Sequence, residues 1–279
     1  MQSWFTCRSG PFGIMRLTSL QNPGVKEVVK LRQRSHRDAS LQMIIEGYRE
    51  IRRALDNRHP LTTLYICPEY YLGKNEPALV ADAAAAGAVV IECDAPVFIK
   101  LSYRDRPEGL LAIAPQLHAT LADLHPPDAP LLIVAEAIEK PGNLGTILRS
   151  ADAAGADAVI VADPCTDIHN PNVVRASIGT LFSVPLAVAS SDETLAWLRA
   201  RQIRILAATP HTDTEYFDAD LRGGVAIVVG TEQYGLSEAW LQQADVRVRI
   251  PMKGQADSLN VAAATVLLMY EAVRQRRVA

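Results

Sequence analysis

The feature that most constrains the fold is a series of short, uninterrupted apolar runs in the second half of the chain. These runs are LLIVAEAI, AVIVA, RILAA and VAIVVG, which begin at residues 131, 158, 204 and 225. Strands of a parallel sheet that is covered on both faces have this continuous apolar character. Helical patterns alternate with them, at 144–154, 171–181, 192–201 and 236–243, before a closing strand (246–251) and helix (258–277). The sequence therefore predicts an α/β domain with a mostly parallel sheet over residues 131–279.

The first part of the chain alternates in the same way on a smaller scale. The apolar spacing predicts a helix over residues 41–55. Further elements are predicted after it: a strand at 61–67, a helix at 78–88, and strands at 89–93 and 109–115. We therefore expect a smaller α/β domain over residues 25–115.

Two stretches are expected to lie outside these domains. The stretch LHPPDAP (124–130) is rich in proline, which indicates a linker over residues 116–130. Residues 1–24 are expected to form an N-terminal extension. Because the sequence from Met15 leads directly into the first domain, we expect the preceding residues to contribute nothing to fold or activity, and translation to begin at Met1 or Met15.

The composition excludes several classes of protein. Hydrophobic residues make up 49% of the 279 positions and charged residues 21%, which is too apolar for a disordered polymer. The four cysteines form no CxxC pair and the six histidines no HxxxH pair, so neither a disulfide scaffold nor a metal site is expected. No apolar run approaches the roughly 20 residues that span a bilayer, and the N-terminus has no apolar signal-peptide core. A cytoplasmic protein is expected.

The charge is distributed unevenly along the chain. Residues 1–115 contain 15 Lys and Arg against 12 Asp and Glu, whereas the remainder contains 13 against 19. The densest basic segment is residues 26–37 (KEVVKLRQRSHR), and it is a candidate for contacts with phosphates. The alternative is a helix face whose charges are solvated. The candidate phosphate-binding side chains are Lys30, Arg32, Arg34 and Arg37.

Loops that follow strands are candidate ligand sites, because parallel sheets bind ligands at the carboxyl ends of their strands. In the first such loop, Asn143 is predicted to cap a helix that ends at Gly155. Arg149 lies off the buried stripe of that helix and could reach towards a bound group. The alternative is a capped surface helix with a solvated arginine.

The second and third loops add further polar positions. After Gly230, the second carries Glu232, but it matches neither GxGxxG nor a P-loop, so neither a dinucleotide site nor a Walker ATP site is supported. In the third loop, Ser258 or Asn260 could cap the last helix. Over residues 258–270 that helix is apolar on nearly all sides, so it must be buried in the core or against a partner chain.

Taken together, the three loops resemble the three motifs of the SpoU (TrmH-like) family in order and spacing. The matching segments are NLGTILR (143–149), GTEQYGLS (230–237), and IPMKG (250–254) followed by SLNV (258–261). Members of this family are S-adenosylmethionine-dependent RNA 2′-O-ribose methyltransferases of the SPOUT superfamily. The N-terminal part, with IIEGYREIRRAL and RPEGLLAIAP, resembles the L30e-like substrate-binding domain of members that act on rRNA, some of which confer antibiotic resistance.

The resemblance implies a fold and an assembly. The expected fold class is α/β, with a C-terminal α/β trefoil-knot (SPOUT) domain preceded by the smaller L30e-like domain. True knots are nearly absent from proteins, so the knot is implied by the resemblance alone. The family also forms homodimers with active sites at the subunit interface, which agrees with the apolar helix over 258–270.

The resemblance also assigns roles to residues. The catalytic group would comprise Asn143, Arg149, Glu232, Ser258 and Asn260, with Arg149 acting on the ribose 2′-hydroxyl. S-adenosylmethionine would be held by Thr209, Gly230, Glu232, Ile250, Met252 and Leu259, and no metal would be required. Because a guanidinium stays protonated, Arg149 suits a phosphate clamp and a stabiliser of charge on O2′ better than a general base.

The sequence is compatible with three hypotheses about the function. The first is methylation of 23S rRNA, and the second is methylation of tRNA, against which the L30e-like domain argues. The third is a non-catalytic RNA-binding protein with the same fold. Because the chain retains Asn143, Arg149, Glu232, Ser258 and Asn260 together, the sequence favours an enzyme. It does not identify the methylated nucleotide or show whether drug resistance results.

Overall fold

The computed structural model describes residues 15–231 and 234–277. The chain forms two compact units, and both are assembled from separate stretches of sequence. Unit 1 contains the residues up to Leu117 together with His169–Ser183, and unit 2 contains His118–Ile168 and the residues from Val184 onward. No helix within the described ranges is long and apolar enough to cross a bilayer.

The elements up to residue 115 all belong to unit 1. They are β1 (Met15–Leu17), α1 (Pro23–Lys30), α2 (Arg34–Ser40), β2 (Gln42–Glu46), α3 (Tyr48–Asp56), β3 (Thr63–Ile66), α4 (Glu76–Ala85), β4 (Val89–Cys93), α5 (Ala95–Leu101) and β5 (Leu110–Pro115). The five strands form one sheet in the order β1-β4-β3-β5-β2. Strands β1, β4 and β3 are mutually parallel, whereas β5 runs antiparallel to both of its neighbours. This is a mixed α/β layer.

Later elements follow in chain order. They are β6 (Leu131–Glu136), α6 (Pro141–Ala154), β7 (Ala158–Ala162), α7 (Pro171–Ala176), β8 (Leu186–Ala189), α8 (Ser191–Ala200), β9 (Arg204–Ala208), β10 (Val225–Val229), α9 (Glu238–Gln243), β11 (Val246–Val248) and α10 (Val261–Arg277). Except for α7, which belongs to unit 1, these elements build unit 2.

The predicted helix over 41–55 is wrong in its first half. Residues 42–46 form strand β2, which pairs with β5 at the edge of the unit 1 sheet. Met43, Ile44 and Ile45 are fully buried, so consecutive apolar residues here mark a covered strand rather than one helix face. The helix α3 begins after Gly47, whose φ of 111° favours glycine.

The predicted boundary of the N-terminal extension also differs from the structure. Strand β1 lies within the expected extension 1–24, and it pairs in parallel with β4. Leu17 is buried in the same core as Val25, Ile44 and Phe98. A strand of three residues is too short to give a periodic sequence signal, so the pattern did not reveal it. The expectation about the first fourteen residues lies outside the described residues.

A stretch from the second half of the chain completes unit 1. It contains α7 and a short 3₁₀ turn (Thr180–Phe182) that packs beside α3. Gly179 adopts a φ of 78°, and a Cβ there would lie 2.8 Å from the Cα of Glu50. The Arg53 guanidinium donates a hydrogen bond to the Ile178 carbonyl. Sequence order alone places this stretch in a domain over 131–279, whereas its packing places it in unit 1.

The sheet of unit 2 is wholly parallel in its described pairings, as the apolar runs predicted. Its strand order is β11-β9-β10-β6-β7-β8. Strands β7 and β9 have the predicted bounds, whereas β8 was not predicted. The sheet core is apolar throughout and includes Leu132, Val134, Ile160, Ile205, Val228 and Trp240. Four neighbouring strands, β11, β9, β10 and β6, therefore direct their carboxyl ends towards one edge.

Candidate active site

Two asparagines that are 117 positions apart in the chain meet at this edge of unit 2. The Asn260 Nδ2 donates a hydrogen bond of 3.1 Å to the Asn143 Oδ1. The Oδ1 of Asn260 accepts from the Ala262 backbone N–H at 3.0 Å, so Asn260 caps α10. Of the two predicted caps, Asn260 is therefore the one that caps the helix. This contact joins the loop after β6 to the loop after β11.

The prediction that Asn143 caps its helix is wrong. Helix α6 begins at Pro141, a residue that suits the first helical position because it lacks an N–H. Asn143 therefore lies inside the first turn, and its side chain accepts the hydrogen bond from Asn260. The predicted end of the helix is confirmed, since Gly155 adopts a φ of 68°.

Arg149 lies on the exposed side of the same helix. The buried stripe was predicted correctly, because Leu144, Ile147, Leu148 and Ala151 are fully buried. Arg149 is exposed and makes no hydrogen bond or ion pair with any described residue. It is six residues beyond Asn143, which corresponds to about 9 Å along the helix axis. The Arg149 guanidinium is therefore exposed on the helix that begins at the joined loops.

The loop after β10 contains a tight turn next to the sheet. A Cβ on Gly230 would lie 2.5 Å from the Gly235 carbonyl oxygen, so the turn requires glycine there. Glu136, a buried residue at the end of β6, accepts a hydrogen bond of 2.9 Å from the Ser237 N–H at the far end of this loop. Sequence reasoning missed Glu136, although a carboxylate at the end of an apolar strand is a usable signal. Glu232 lies outside the described residues.

A cleft opens beside the loops that follow β9 and β11. Five predicted site residues, Thr209, Ile250, Met252, Ser258 and Leu259, line it together with Ala208, Pro210, Val248, Asp257 and Ala264. The Thr209 N–H donates to the Val248 carbonyl at 2.9 Å, which ties the two loops together. Asp257 was not predicted, although it directly precedes Ser258. Most of the lining is apolar, as is usual for a small-molecule site.

Backbone groups in this cleft are available to a ligand. In the described part of the chain, no residue forms a hydrogen bond with the N–H or C=O of Ile250, Met252 or Leu259. Ile250 and Met252 are half-buried and Leu259 is exposed, so water reaches these groups in the free protein and a polar ligand edge can replace it. Ser258 is exposed on the same loop.

Helix α10 is buried on one side and open on the other. Met269 is 0% exposed, so it packs in the core of its own chain, whereas Leu267 is 39% exposed and Tyr270 47%. Of the two predicted alternatives, burial in the core is therefore the one that holds for Met269. Leu267 remains available, and Leu259 just before the helix is also exposed.

The basic segment 26–37 of unit 1 does not present the cations that its sequence suggested. Arg37 is 1% exposed and donates to the Leu31 and Arg32 carbonyls at 2.9 Å each, so it cannot reach a phosphate. Arg32 donates to the carbonyls of Lys100 and Ser102, at the end of α5. These two arginines stabilise loop and helix termini, which corrects their predicted role.

The other two candidates in this segment are exposed but have acidic neighbours. Lys30 pairs with Glu27 at 2.8 Å, and Arg34 pairs with Asp38 at 3.5 Å. Exposed pairs of this kind within one helix contribute only about 0.3–0.5 kcal/mol. Lys30 and Arg34 therefore fit the alternative of a solvated helix face.

Comparison with known families agrees with these features. The SpoU rRNA Methylase family matches residues 130–270, and the MRM3-like substrate binding domain matches residues 22–112. The second match lies within unit 1. The first covers the loops that carry Asn143, Arg149 and Asn260.

Individual relatives point the same way. The chain is 44% identical over 142 residues to the 23S rRNA (uridine(2479)-2′-O)-methyltransferase of Streptomyces viridochromogenes, covering 49% of this chain and 50% of that protein. It is 27% identical to the 23S rRNA (guanosine(2553)-2′-O)-methyltransferase RlmP of Bacillus subtilis, covering 91% and 98%. The crystal structure of an AdoMet-bound rRNA methyltransferase from Sinorhizobium meliloti is 34% identical, with a TM-score of 0.85 and coverage of 94% and 98%. The chain belongs to the SpoU rRNA methylase family.

Proposed function

We propose that the protein transfers a methyl group from S-adenosylmethionine to a ribose 2′-oxygen of 23S rRNA. The observation that carries the proposal is the hydrogen bond between Asn143 and Asn260. It brings the first and third family motifs together beside an apolar cleft. Two relatives that methylate 23S rRNA on a 2′-oxygen support the choice of substrate.

The cleft residues fit S-adenosylmethionine. The unpaired backbone groups of Ile250, Met252 and Leu259 can form hydrogen bonds with the edge of adenine, and the apolar lining can cover its faces. Thr209 holds the β9 and β11 loops in register, and Gly230 allows the tight turn beside them. When bound, the cofactor supplies an electrophilic methyl group on a positively charged sulfur. A fit of this kind needs no conserved phosphate-binding motif, which agrees with the absence of GxGxxG in the sequence.

Arg149 and its neighbours position the nucleotide that accepts the methyl group. The free guanidinium can form two parallel hydrogen bonds to a phosphate and can stabilise negative charge that develops on O2′. Asn143, fixed by Asn260, and the exposed Ser258 offer neutral groups for the ribose hydroxyls. Glu232, which completes the family pattern, is proposed to act with them. Holding the hydroxyl in line with the methyl group accounts for much of the expected acceleration.

The remaining parts of the proposal are the assembly, the path of the chain and the location. Leu259, Leu267 and Tyr270 are exposed apolar side chains on or just before α10, and a second copy of the chain would cover them. We propose a cytoplasmic homodimer with a knotted C-terminal domain, in keeping with the family. Leu267→Glu should give a monomer in sedimentation analysis, whereas Ile99→Glu, at an exposed apolar position in unit 1, should leave the assembly unchanged. A dimeric Leu267→Glu protein would contradict this interface.

The reaction can be tested directly. Purified protein is incubated with tritiated S-adenosylmethionine and transcripts of 23S rRNA, 16S rRNA or tRNA. Incorporation into 23S rRNA alone is expected, and the position follows from mapping 2′-O-methylation in rRNA from cells with and without the gene. Incorporation into tRNA alone would show that tRNA, and not 23S rRNA, is the substrate. Incorporation into none of the three RNAs would favour a non-catalytic RNA-binding protein.

A further inference from the structure

Unit 1 contains a cleft that none of the family motifs describes. It has a volume of about 530 Å³, and it lies between the start of α3, the loop before α4 and helix α7. Its charged lining residues are Arg49, Glu50, Glu76, Arg104, Glu108 and Arg175. Arg175 comes from the stretch that unit 1 takes from the second half of the chain. The cleft is therefore complete only when that stretch is in place.

The charges in this cleft are arranged in layers. At the floor, Arg104 donates to the Glu50 carboxylate at 2.6 Å, to the Glu108 carboxylate, and to the Glu46 carbonyl at 2.7 Å. Glu50 is only 4% exposed, and burial raises the pKa of its carboxyl despite the neighbouring Arg104. The floor therefore holds two carboxylates, those of Glu50 and Glu108, against the single guanidinium of Arg104, so negative groups outnumber positive ones there.

At the rim, two arginines are uncompensated. Arg49 and Arg175 are exposed, and neither side chain forms a hydrogen bond or an ion pair with any residue in the described ranges. They contrast with the basic segment 26–37, in which the four candidate cations all have partners. A ligand that approaches the cleft meets these two guanidiniums first.

One buried acceptor in the lining lacks a partner. Glu76 is 4% exposed, and its Oε1 accepts from the Leu72 and Gly73 N–H groups at 3.1 and 2.7 Å. Its Oε2 has no hydrogen-bond partner among the described residues. A buried acceptor without a donor is unfavourable, so it favours a ligand that brings an N–H group.

The same loop also exposes an apolar surface. Leu72 is 77% exposed, the largest exposed fraction among the large apolar residues of unit 1 in the described ranges, and Tyr48 also lines the cleft. Apolar and aromatic side chains of this kind pack against the faces of unpaired bases, which is how most sequence-dependent RNA recognition occurs. The cleft therefore has exposed guanidiniums at its rim, apolar side chains in its lining, and carboxylate acceptors at its floor.

We propose that this cleft binds one unpaired nucleotide of the rRNA substrate. Arg49 and Arg175 hold the flanking phosphates, Leu72 and Tyr48 contact the base, and the carboxylates of the floor face its N–H groups. The order of charges excludes the reverse arrangement, because a phosphate at the floor would meet Glu50, Glu76 and Glu108. The inference rests on the proposed function for its choice of RNA, and it replaces the basic segment as the RNA-contacting surface of unit 1.

The test is RNA binding by charge-reversed variants over a salt series. Arg49→Glu and Arg175→Glu should each weaken binding to a 23S rRNA transcript about tenfold, and each should reduce the slope of log affinity against log salt by about 0.7. Arg58→Glu is the matched control, since Arg58 is exposed, lies in the same unit and has no partner among the described residues. It should change affinity less than twofold.

Two further measurements separate the possible outcomes. A photo-crosslinking amino acid in place of Leu72, which is too exposed to matter for folding, should crosslink to the transcript. If Arg49→Glu does not fold, Arg49→Gln replaces it, and this variant should bind the transcript more weakly than wild type. Calorimetry with S-adenosylmethionine should give unchanged affinity in all variants. The proposal is overturned if Arg49→Glu and Arg175→Glu bind the transcript like Arg58→Glu, or if the photo-crosslinking amino acid at position 72 forms no crosslink to it. Binding without methyl transfer by wild-type protein would instead contradict the proposed function.

Discussion

The two units hold their functional side chains in different ways. In unit 2, the candidate site lies where parallel strands end, and loops far apart in sequence meet through side-chain contacts such as that of Asn143 with Asn260. In unit 1, the cleft lies between the start of α3, the loop before α4 and helix α7, and its exposed arginines are at positions 49 and 175. The unit 2 site can be recognised in the sequence from its motifs, whereas the unit 1 cleft corresponds only to charged residues scattered along the chain.

This difference teaches that local charge density is a poor guide to a polyanion site. The segment 26–37 is the densest basic run in the chain, yet Arg37 and Arg32 use their donors on backbone carbonyls. Arg49 and Arg175 are isolated in sequence, yet they are the cations without partners at a cleft. What matters for binding is whether a guanidinium has donors to spare, and sequence does not report it.

The largest expected effect tests the unit 2 site. Arg149→Ala should reduce kcat by about 10²–10³, the usual cost of removing one donor that stabilises transition-state charge. Arg149→Lys should also have a strongly reduced kcat, because an ammonium cannot form the two parallel hydrogen bonds of a guanidinium. Tritium transfer measures the loss, and calorimetry should show unchanged binding of S-adenosylmethionine. A fully active Lys variant would contradict the clamp.

The next effect tests the contrast between buried and free arginines. Arg37→Ala should lower the free energy of unfolding by about 3 kcal/mol, because it leaves the Leu31 and Arg32 carbonyls without their donor in a buried place. Arg34→Ala, on the exposed side of the same helix, should change it by less than about 0.5 kcal/mol. Urea unfolding followed by circular dichroism gives both values. Equal effects would show that Arg37 is as dispensable as a solvated residue.

A smaller effect concerns the link between the loops of unit 2. Asn260→Ala removes both the cap of α10 and the bond to Asn143, so we expect a loss of about 1–2 kcal/mol in stability together with slower methyl transfer. Ser258→Ala is the control for stability, since Ser258 has no partner among the described residues. If Asn260→Ala lost stability but kept full turnover, the asparagine pair would be structural only.

Much of unit 2 could be predicted, for identifiable reasons. Strands β7 and β9 are buried on both faces, so their apolar runs give unambiguous bounds. The helix stripe beside Arg149 follows from spacing alone. The family motifs then identified Asn143 and Asn260, although only the structure shows that they touch.

The failures have physical causes too. Residues 42–46 contain three consecutive buried apolar residues that suit a helix and a covered strand equally, and only pairing with β5 decides between them. The placement of 169–183 in unit 1 depends on contacts such as Gly179 against Glu50, which no local pattern encodes. Burial of Arg37 likewise depends on carbonyls that its own turn presents. Each failure concerns a tertiary contact that overrides a local signal.

The smallest expected effect tests the packing of residues His169–Ser183 against the rest of unit 1. His59 lies 4.9 Å from the ring of Phe182, with its Nε2 2.9 Å from the Pro115 carbonyl oxygen, and burial lowers the pKa of its imidazole. Below the ordinary pKa of about 6.5 the unfolded chain therefore binds more protons than the folded chain, so stability should fall as pH decreases from about 6.5 and be constant above it. One proton limits the slope to about 1.4 kcal/mol per pH unit. His59→Gln should flatten the profile of unfolding free energy between pH 5 and 7, whereas His125→Gln, at an exposed position, should not. Identical profiles for wild type and His59→Gln would mean that the packing against Phe182 does not keep this imidazole neutral.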